Sequence, residues 1–295
     1  MKKLIALILC CFALCFALVL FLGHGKAGQP DITGPEQPEE TRPVPTAEAL
    51  SGGQPDATAA PDATVSPADP DATAPTQAEN WDGEGAALDV TQMSRYLFPV
   101  NQFAVFNEEM QVYLDSQSAI QGSRVTLTAD KLDEHYLSGK VESNISFLYG
   151  DFTFRIRTLR GSGLFPAIWM LPETNAVLPE VDIYESIGSQ PTDVHGVLHY
   201  KENGIQDRYY YYTTLPADIQ QFTVGLHWDE SSLVWYVDGV PIHTVTDHIP
   251  AEHMYLIMNL AVGGSWAQPP TPDTPFPSSF QVDVLEFRPR NVRSR

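Results

Sequence analysis

Short runs of alternating apolar and polar residues, separated by turn-forming residues, fill the chain after Leu88. The alternation is clear at residues 124–128 and 151–157, and a period of two is typical of half-buried strands. Asp238-Gly239 stands between two further strand-like runs, which is a strong hairpin signal. No segment shows a sustained helical period with caps. The pattern predicts an all-β antiparallel sandwich or barrel.

The chain begins with Lys2 and Lys3, and an uninterrupted apolar run follows at residues 4–22. About nineteen residues make a helix of roughly 28 Å, close to the thickness of a bilayer core. We expect residues 1–23 to be a transmembrane anchor that keeps the lysines inside and sends the rest of the chain outside. A cleaved signal peptide is the alternative, and it exports the same part of the chain.

All three cysteines, Cys10, Cys11 and Cys15, lie within this apolar run. Lipid attachment is therefore a third interpretation of the segment, although none of the three follows the small residue that a lipoprotein signal has. The exported part of the chain contains no cysteine and cannot form disulfides. Its stability must come from a hydrophobic core, for which about two hundred residues suffice.

Residues 24–85 are rich in Pro, Ala, Thr, Asp, Glu and Gly, a composition typical of disorder. The tetrapeptide Pro-Asp-Ala-Thr starts at positions 55, 61 and 70 but contains nothing that could form a buried face. We therefore expect a linker that acts as a stalk, with one folded domain at residues 86–295. The expected location is the extracellular surface of a bacterial cell.

The formal net charge of −20 limits the partners of the chain. Nucleic acid is not expected, because phosphate binding needs clustered Lys and Arg. If the partner is a polysaccharide, a strongly sulfated one would be repelled at long range and a neutral one is favoured, although a local basic pocket could override this. We expect a monomer that meets the membrane through its N-terminal segment.

The segment 180–185 (EVDIYE) carries three carboxylates. In a regular strand Glu180 and Asp182 share one face, whereas Glu185 points the other way. A β-bulge that adds one residue between Asp182 and Glu185 would bring all three to one face. In so acidic a chain the same spacing is also compatible with a solvated strand face or with part of a calcium site.

Three carboxylates on one face can perform acid and base chemistry together. Their like charges raise at least one pKa, so one carboxyl stays protonated near neutral pH while another is ionised. Retaining glycosidases need such a pair about 5 to 5.5 Å apart, one as nucleophile and the other as general acid/base. Neighbouring positions on a strand can supply this distance.

Further motifs accompany this segment in a fixed order over residues 101–288. They stand at residues 149–152, 165–172, 197–199, 259–266, 276–277 and 282–287. Together with 180–185, which is similar to the pattern E-[ILV]-D-x-x-E, they resemble glycoside hydrolase family 16 in its laminarinase-like branch. The resemblance implies a concanavalin A-like β-jelly roll, an antiparallel two-sheet sandwich with a glycan cleft across its concave sheet.

At matching positions the resemblance implies that Glu180 is the nucleophile, Asp182 its supporting carboxylate and Glu185 the acid/base. Trp169 would form a platform at the cleaved sugar, since aromatic faces pack against the C–H surfaces of pyranose rings. Phe165 lies four residues earlier and therefore on the same strand face.

Other candidate residues complete the expected cleft. The resemblance implies that His199 lines it near the carboxylates and that Asn107 and Lys140 hydrogen-bond sugars. Trp266 follows two glycines in a predicted loop, which favours exposure at the cleft rim. No cofactor is required, and Asp283 is a candidate ligand for the structural calcium of some family members, although a solvent-facing aspartate is the simpler interpretation.

The leading hypothesis is a retaining endo-glycosidase for a β-linked polysaccharide, foremost β-1,3-glucan. Phe165 stands where laminarinases have Trp, and Lys140 where they have Arg. Hydrolysis of β-galactan, agarose-type chains or mucin glycans therefore stays open, as does transglycosylation at the same site. The alternative from another class is a surface lectin that binds a glycan without cutting it.

Overall fold

The computed structural model describes residues 87–295, which form eighteen strands and two short 3-10 helices, Val90–Arg95 and Asp115–Gln117. The strands are β1 (Leu97–Pro99), β2 (Gln111–Tyr113), β3 (Ser118–Gln121), β4 (Arg124–Leu132), β5 (His135–Ser138), β6 (Lys140–Ser143), β7 (Ile145–Ser146), β8 (Gly150–Arg157), β9 (Leu164–Pro172), β10 (Glu180–Ile187), β11 (Gln190–Glu202), β12 (Ile205–Thr214), β13 (Gln221–Trp228), β14 (Leu233–Val237), β15 (Val240–Val245), β16 (Met254–Val262), β17 (Ser278–Pro289) and β18 (Arg293–Ser294).

The strands build two large sheets and a small one, in which β7 pairs with β18. A seven-stranded sheet has the order β1-β6-β16-β9-β10-β11-β12, and a nine-stranded sheet has the order β15-β14-β13-β8-β17-β4-β5-β2 with β3 beside β4. Within both sheets neighbours are antiparallel except β2 and β5. This two-sheet arrangement confirms the predicted all-β jelly-roll sandwich.

The core lies between the inner faces of the two sheets. From the nine-stranded sheet, β8 contributes Phe152, Phe154 and Ile156, which are fully or almost fully buried. From the seven-stranded sheet, β16 contributes Leu256 and Met258 among others. Each such side chain contributes about 1.5–3 kcal/mol by leaving water, which lets residues 87–295, none of which is a cysteine, hold the two sheets together.

The strand patterns predicted from alternation are found in the structure. Residues 124–128 lie in β4 and residues 151–157 lie in β8. Asp238 and Gly239 join β14 to β15 with φ angles of 49° and 75°. Two positive φ angles in a two-residue hairpin loop are what the Asp-Gly signal predicts.

Four consecutive tyrosines in β12 divide between the two faces of the seven-stranded sheet. Tyr209 and Tyr211 pack against the core, whereas Tyr210 and Tyr212 are 46% and 59% exposed. The alternation itself follows from strand geometry. The structure adds which pair faces outward, toward the same side as the carboxylates.

The anchor predicted at residues 1–23 and the linker predicted at residues 24–85 lie outside the described residues. Within residues 87–295, no helix has the length and apolar character needed to cross a bilayer.

Gly188 lets two loops approach each other at the end of β10. Its N–H donates to the carbonyl of Leu164 at 2.8 Å, and its carbonyl accepts from the N–H of Gly161 at 3.0 Å. A Cβ at position 188 would meet the carbonyl oxygen of Gly161 at only 2.0 Å. Because both contacts are backbone contacts, neither side can move away cheaply.

We expect Gly188→Ala to lower the free energy of unfolding by about 2–3 kcal/mol, the usual cost of overpacking a tight site. Gly204→Ala is the control, since no atom lies within 4 Å of a Cβ there and only its φ of 85° is unfavourable for alanine. That change should cost about 1 kcal/mol. Denaturant unfolding of both variants measures the difference, and equal stabilities would contradict the packing argument.

Candidate active site

An extra residue interrupts the pairing of β10 with its neighbours. On β11, Asp182 pairs with Val197 and Glu185 pairs with His195, so three steps along β10 match two steps along β11. The same irregularity occurs against β9, between Asp182 and Tyr184. The structure therefore contains the bulge that the spacing of the carboxylates requires.

The bulge changes which side chains face the core. Ile183 and Tyr184 are adjacent in sequence, yet both are buried in the core at 1% exposure. Glu185 interacts electrostatically with Asp182 and Glu180, and also with Tyr210, which is exposed on the outer face of the seven-stranded sheet. One extra residue thus shifts the alternation of side chains along β10, so that Glu185 shares a face with Glu180 and Asp182.

Core contacts hold the bulge in place. The ring of Tyr184 stacks on Phe280 with centroids 5.8 Å apart, and Phe222 packs at 6.0 Å. The indole N–H of buried Trp235 donates to the carbonyl of Asp182 at 2.9 Å. A bulge disturbs the ladder, and this bond supplies a partner to a carbonyl at the disturbed point.

Histidines on β11 stand opposite the carboxylates. Glu180 pairs with His199 and Glu185 pairs with His195. His199 Nε2 lies 3.3 Å from Asp182 Oδ2 and 4.0 Å from Glu180 Oε1. The side chain of Asp182 is only 3% exposed, while Glu180 and His199 are each about one-third exposed. Asp182 is therefore enclosed beneath two groups that remain open to solvent.

Burial raises the pKa of Asp182 well above its usual range, and the negative charge of Glu180 raises it further. A hydrogen-bond interaction between the two carboxyls raises the pKa of Asp182 and lowers that of Glu180. Burial also raises the pKa of Glu180, but His199 and this hydrogen bond oppose the rise. The interaction therefore favours a proton on Asp182 and the ionised form of Glu180.

Burial also raises the pKa of Glu185 well above its usual range, and the charges of Asp182 and Glu180 add to the effect. His199 and Arg208 oppose it more weakly. The pKa of Glu185 is thus raised more strongly than that of Glu180, which favours a proton on Glu185 and an ionised Glu180. A proton donor and an anionic nucleophile on one face are the two groups that double displacement needs.

Trp169 stands beside the carboxylates on β9, opposite Asp182. Its indole N–H donates to Asn259 Oδ1 at 2.7 Å, and the amide of Asn259 donates in turn to the hydroxyl of Tyr113 at 3.0 Å. The ring edge is thereby fixed in orientation. Its half-buried face can serve as a platform for a sugar ring.

A second aromatic group lies next to His195, the strand partner of Glu185. The ring of Trp266, 39% exposed, meets Phe165 at 5.2 Å and His195 at 4.9 Å, edge to face in both cases. His195 Nδ1 is hydrogen-bonded to the hydroxyl of Tyr210 at 2.7 Å. Trp266 is thus partly exposed on this face, and its contact with a substrate stays a prediction.

Lys140 and Asn107 lie farther from the carboxylates. Lys140, on β6, is buried, and its Nζ lies 2.9 Å from Gln102 Oε1 and 3.0 Å from Glu142 Oε1. Asn107 is exposed in a turn with φ of 52°, and its carbonyl accepts from the N–H of Ser265 beside Trp266. Lys140 is thus already engaged by protein groups, while Asn107 borders the loop of Trp266.

Several residues of the site were not anticipated from the sequence. Asn259 fixes Trp169, Trp235 supports the bulge, and Tyr210 holds His195. Arg208 of β12 pairs with His199 of β11, and its guanidinium lies 5.8 Å from the ring centroid of Tyr210. Alternation along a strand predicts that Arg208 and Tyr210 share a face. It does not predict that they lie near the carboxylates, because that depends on the pairing of β11 with β12.

Glu180, Asp182 and His199 could also hold a metal ion. Among residues 87–295 they are the group of potential ligands whose atoms lie within 4.8 Å of one another. A cation there would compete with the proton of Asp182 and would occupy the carboxylate of Glu180. Asp283 is not part of this group.

The expectation that Asp283 ligates calcium is not supported by its contacts. Its Oδ1 accepts from Arg124 Nε at 2.7 Å and its Oδ2 accepts from Arg124 Nη2 at 3.0 Å. A guanidinium thus occupies both oxygens that a cation would need. The sequence offered no signal for this pair, because Arg124 and Asp283 are far apart in the chain.

Comparisons with known proteins bear on this site. The family model described as glycosyl hydrolases family 16 matches residues 101–276. The chain is 33% identical over 178 residues to the protein named glucan endo-1,3-beta-glucosidase A1 of Niallia circulans, covering 51% of this chain and 26% of that protein. It is 31% identical over 218 residues to the protein named beta-glucanase of Rhodothermus marinus, covering 61% of this chain and 73% of that protein.

The chain thus spans about a quarter of the first relative and about three-quarters of the second. Among solved structures, the endo-beta-1,3-glucanase from Pyrococcus furiosus superimposes with a TM-score of 0.58 at 24% identity, covering 71% of this chain and 93% of that chain. The laminarinase catalytic domain from Thermotoga maritima superimposes with a TM-score of 0.59 at 22% identity, covering 70% of this chain and 98% of that chain. These two likenesses support the fold.

Glu185→Gln tests the raised pKa of Glu185 through stability. A carboxyl with a higher pKa in the folded state binds its proton more tightly when folded, so stability falls as the pH rises from about 4.3 through the folded-state pKa. The glutamine side chain of the variant does not titrate, so the variant does not lose stability in this way. A tenfold difference in proton affinity corresponds to about 1.4 kcal/mol, or roughly 3–5 °C in a domain of this size.

We therefore expect the Glu185→Gln variant to melt near the wild-type temperature at about pH 4 and several degrees above it at about pH 8. Thermal unfolding across this pH range is the measurement. Glu252→Gln, a change at an exposed glutamate, should show no such pH-dependent gain. A pH-independent difference for Glu185→Gln would contradict the raised pKa.

Proposed function

Because this chain belongs to glycosyl hydrolases family 16, we propose that it is a retaining endo-glycosidase that cuts β-1,3-glucan by double displacement. The observation that carries the proposal is the bulge between Asp182 and Glu185, since it brings Glu185 to the outer face that Glu180 occupies. The names of the two relatives, both glucan-cleaving enzymes, support a β-glucan as the substrate.

In the first step a carboxylate oxygen of Glu180 attacks the anomeric carbon of the bound sugar. Glu185 gives its proton to the glycosidic oxygen, the bond between that oxygen and the anomeric carbon breaks, and the leaving saccharide departs with a free hydroxyl. Glu180 is then joined to the sugar by an ester bond. The raised pKa of Glu185 is the property that keeps its proton available for this step.

In the second step Glu185, now ionised, takes a proton from water, and the water oxygen attacks the same carbon. The ester bond to Glu180 breaks and its carboxylate is regenerated. Each step inverts the anomeric carbon, so the product has the same anomeric configuration as the substrate. Neither step needs a cofactor, because both protons pass through Glu185.

Asp182 and His199 act by positioning Glu180. The hydrogen-bond interaction with Asp182 fixes one oxygen of Glu180 and favours its anionic form. His199, 4.0 Å from Glu180 Oε1, adds a polar neighbour on the solvent side. The remaining oxygen of Glu180 is then free for the anomeric carbon.

The substrate is proposed to be neutral and to lie against Trp169. A chain with a net charge of −20 repels anionic polymers at long range. Stacking of a pyranose ring on the indole would place its anomeric carbon beside Glu180, since Trp169 pairs directly with Asp182. Phe165 and Trp266, in mutual contact, extend this apolar surface along the same face.

The place of action is proposed from the N-terminal sequence alone. Lys2, Lys3 and the apolar run at residues 4–22 favour export, with the catalytic domain held outside the bacterial cell as a monomer. A membrane-bound endo-acting enzyme would release oligosaccharides next to the cell surface.

Activity on a panel of laminarin, lichenan, agarose, galactan and mucin glycans tests the proposal. We expect new reducing ends from laminarin, and retained configuration by proton NMR of the first products. Glu180→Gln should lower kcat/KM by at least about 10⁴-fold and Glu185→Gln by about 10²–10⁴-fold. Glu252→Gln is the matched control and should leave activity unchanged.

Azide separates the roles of the two glutamates when an activated aryl β-glycoside is the substrate. In Glu185→Ala, azide should replace water in the second step and give the β-glycosyl azide after two inversions. In Glu180→Ala, azide should attack directly and give the α-glycosyl azide after one inversion. Tight binding of a glycan with no cleavage of any polymer would instead identify a lectin.

A further inference from the structure

Three arginines lie together on the outer face of the nine-stranded sheet, on the sheet that does not carry the carboxylates. Arg124 of β4, Arg155 and Arg157 of β8 line a shallow depression with Gln221, Gln281 and Asp283. Asp283 pairs with Arg155 on one side and with Arg124 on the other. The side chains therefore share one face across four neighbouring strands.

The charges in this arginine cluster do not cancel. Asp283 gives both of its oxygens to Arg124. Among the described residues, neither Arg155 nor Arg157 forms an ion pair. The cluster therefore carries a local excess of positive charge in a chain whose net charge is −20. The overall negative charge of the chain repels an anion at long range. Binding of an anion here would therefore have to come from the arginines of the cluster itself.

The chemistry of the lining suits an oxyanion. Guanidinium groups present paired N–H donors that match sulfate and phosphate oxygens, and such charge-assisted bonds are stronger than neutral ones. Gln221 and Gln281 add amide donors at the edge of the depression. Arg155 and Arg157, two residues apart on one strand face, repel each other unless an anion lies between them.

We propose that Arg155 and Arg157, with Arg124, bind a sulfate or phosphate group at this face. The site is independent of the proposed glycosidase activity, because it lies on the other sheet. The group can be a free anion or an ester on a polymer, because the donors recognise the same oxygens in both.

Titration calorimetry of the full chain with sodium sulfate, at constant ionic strength kept with sodium chloride, tests the site. We expect saturable binding that Arg155→Gln/Arg157→Gln weakens at least tenfold. Arg95→Gln/Lys201→Gln removes the same charge elsewhere and should keep wild-type affinity. Asp283→Asn should tighten binding several-fold, because it removes the only opposing charge in the lining and frees Arg124.

Equal binding by the two double variants, or no saturable binding by the wild type, would overturn the proposal. If Arg155→Gln/Arg157→Gln does not fold, Arg157→Gln alone, a change at an exposed position, gives the same comparison. Dextran sulfate and unsulfated dextran distinguish the sources. Tighter binding per sulfate group in the polymer identifies an esterified polymer, and equal binding identifies a free anion; both outcomes support the site.

Discussion

The extra residue in β10 is the constraint on which the rest of the candidate active site depends. Without it, Glu185 would lie on the core side of the sheet, where an unpaired carboxyl has no stable place. With it, Ile183 and Tyr184 both enter the core and the carboxylates on either side turn outward. The aromatic packing around Tyr184 and the indole bond from Trp235 belong to the sheet sandwich itself. The core thus determines the geometry of the chemistry on the opposite face.

The same geometry creates an unfavourable electrostatic arrangement that the fold has to support. Asp182 is buried next to Glu180, and Glu185 shares their face, so full ionisation of all three is strongly disfavoured. Protons on Asp182 and Glu185 relieve the repulsion and leave one carboxylate able to act as a nucleophile. An extensive hydrophobic core can support such a cost. Burial is therefore the common origin of the local instability and of the proposed reactivity.

Much of this could be predicted from the sequence, because strand parity is a local property. Alternation predicted strands such as β4 and β8, and Asp238-Gly239 predicted a hairpin. The spacing of Glu180, Asp182 and Glu185 indicated a bulge once all three were assigned to one face. Non-local pairing was not predictable. The outward pair of tyrosines depends on how β12 registers with β11, and Trp235 reaches Asp182 from the other sheet. Asp283 was a candidate calcium ligand beside the simpler interpretation of a solvent-facing aspartate, and neither anticipated its pairing with Arg124 from a distant strand.

Mass spectrometry of a trapped covalent intermediate tests the double-displacement account most directly. A 2-deoxy-2-fluoro-β-glucoside or laminaribioside with a good leaving group forms the ester but slows its hydrolysis, because fluorine destabilises the oxocarbenium-like transition state. The account predicts one added glycosyl unit on the peptide that contains Glu180, at the Glu180 carboxylate. An adduct on Glu185, or products of inverted configuration without any adduct, would contradict it.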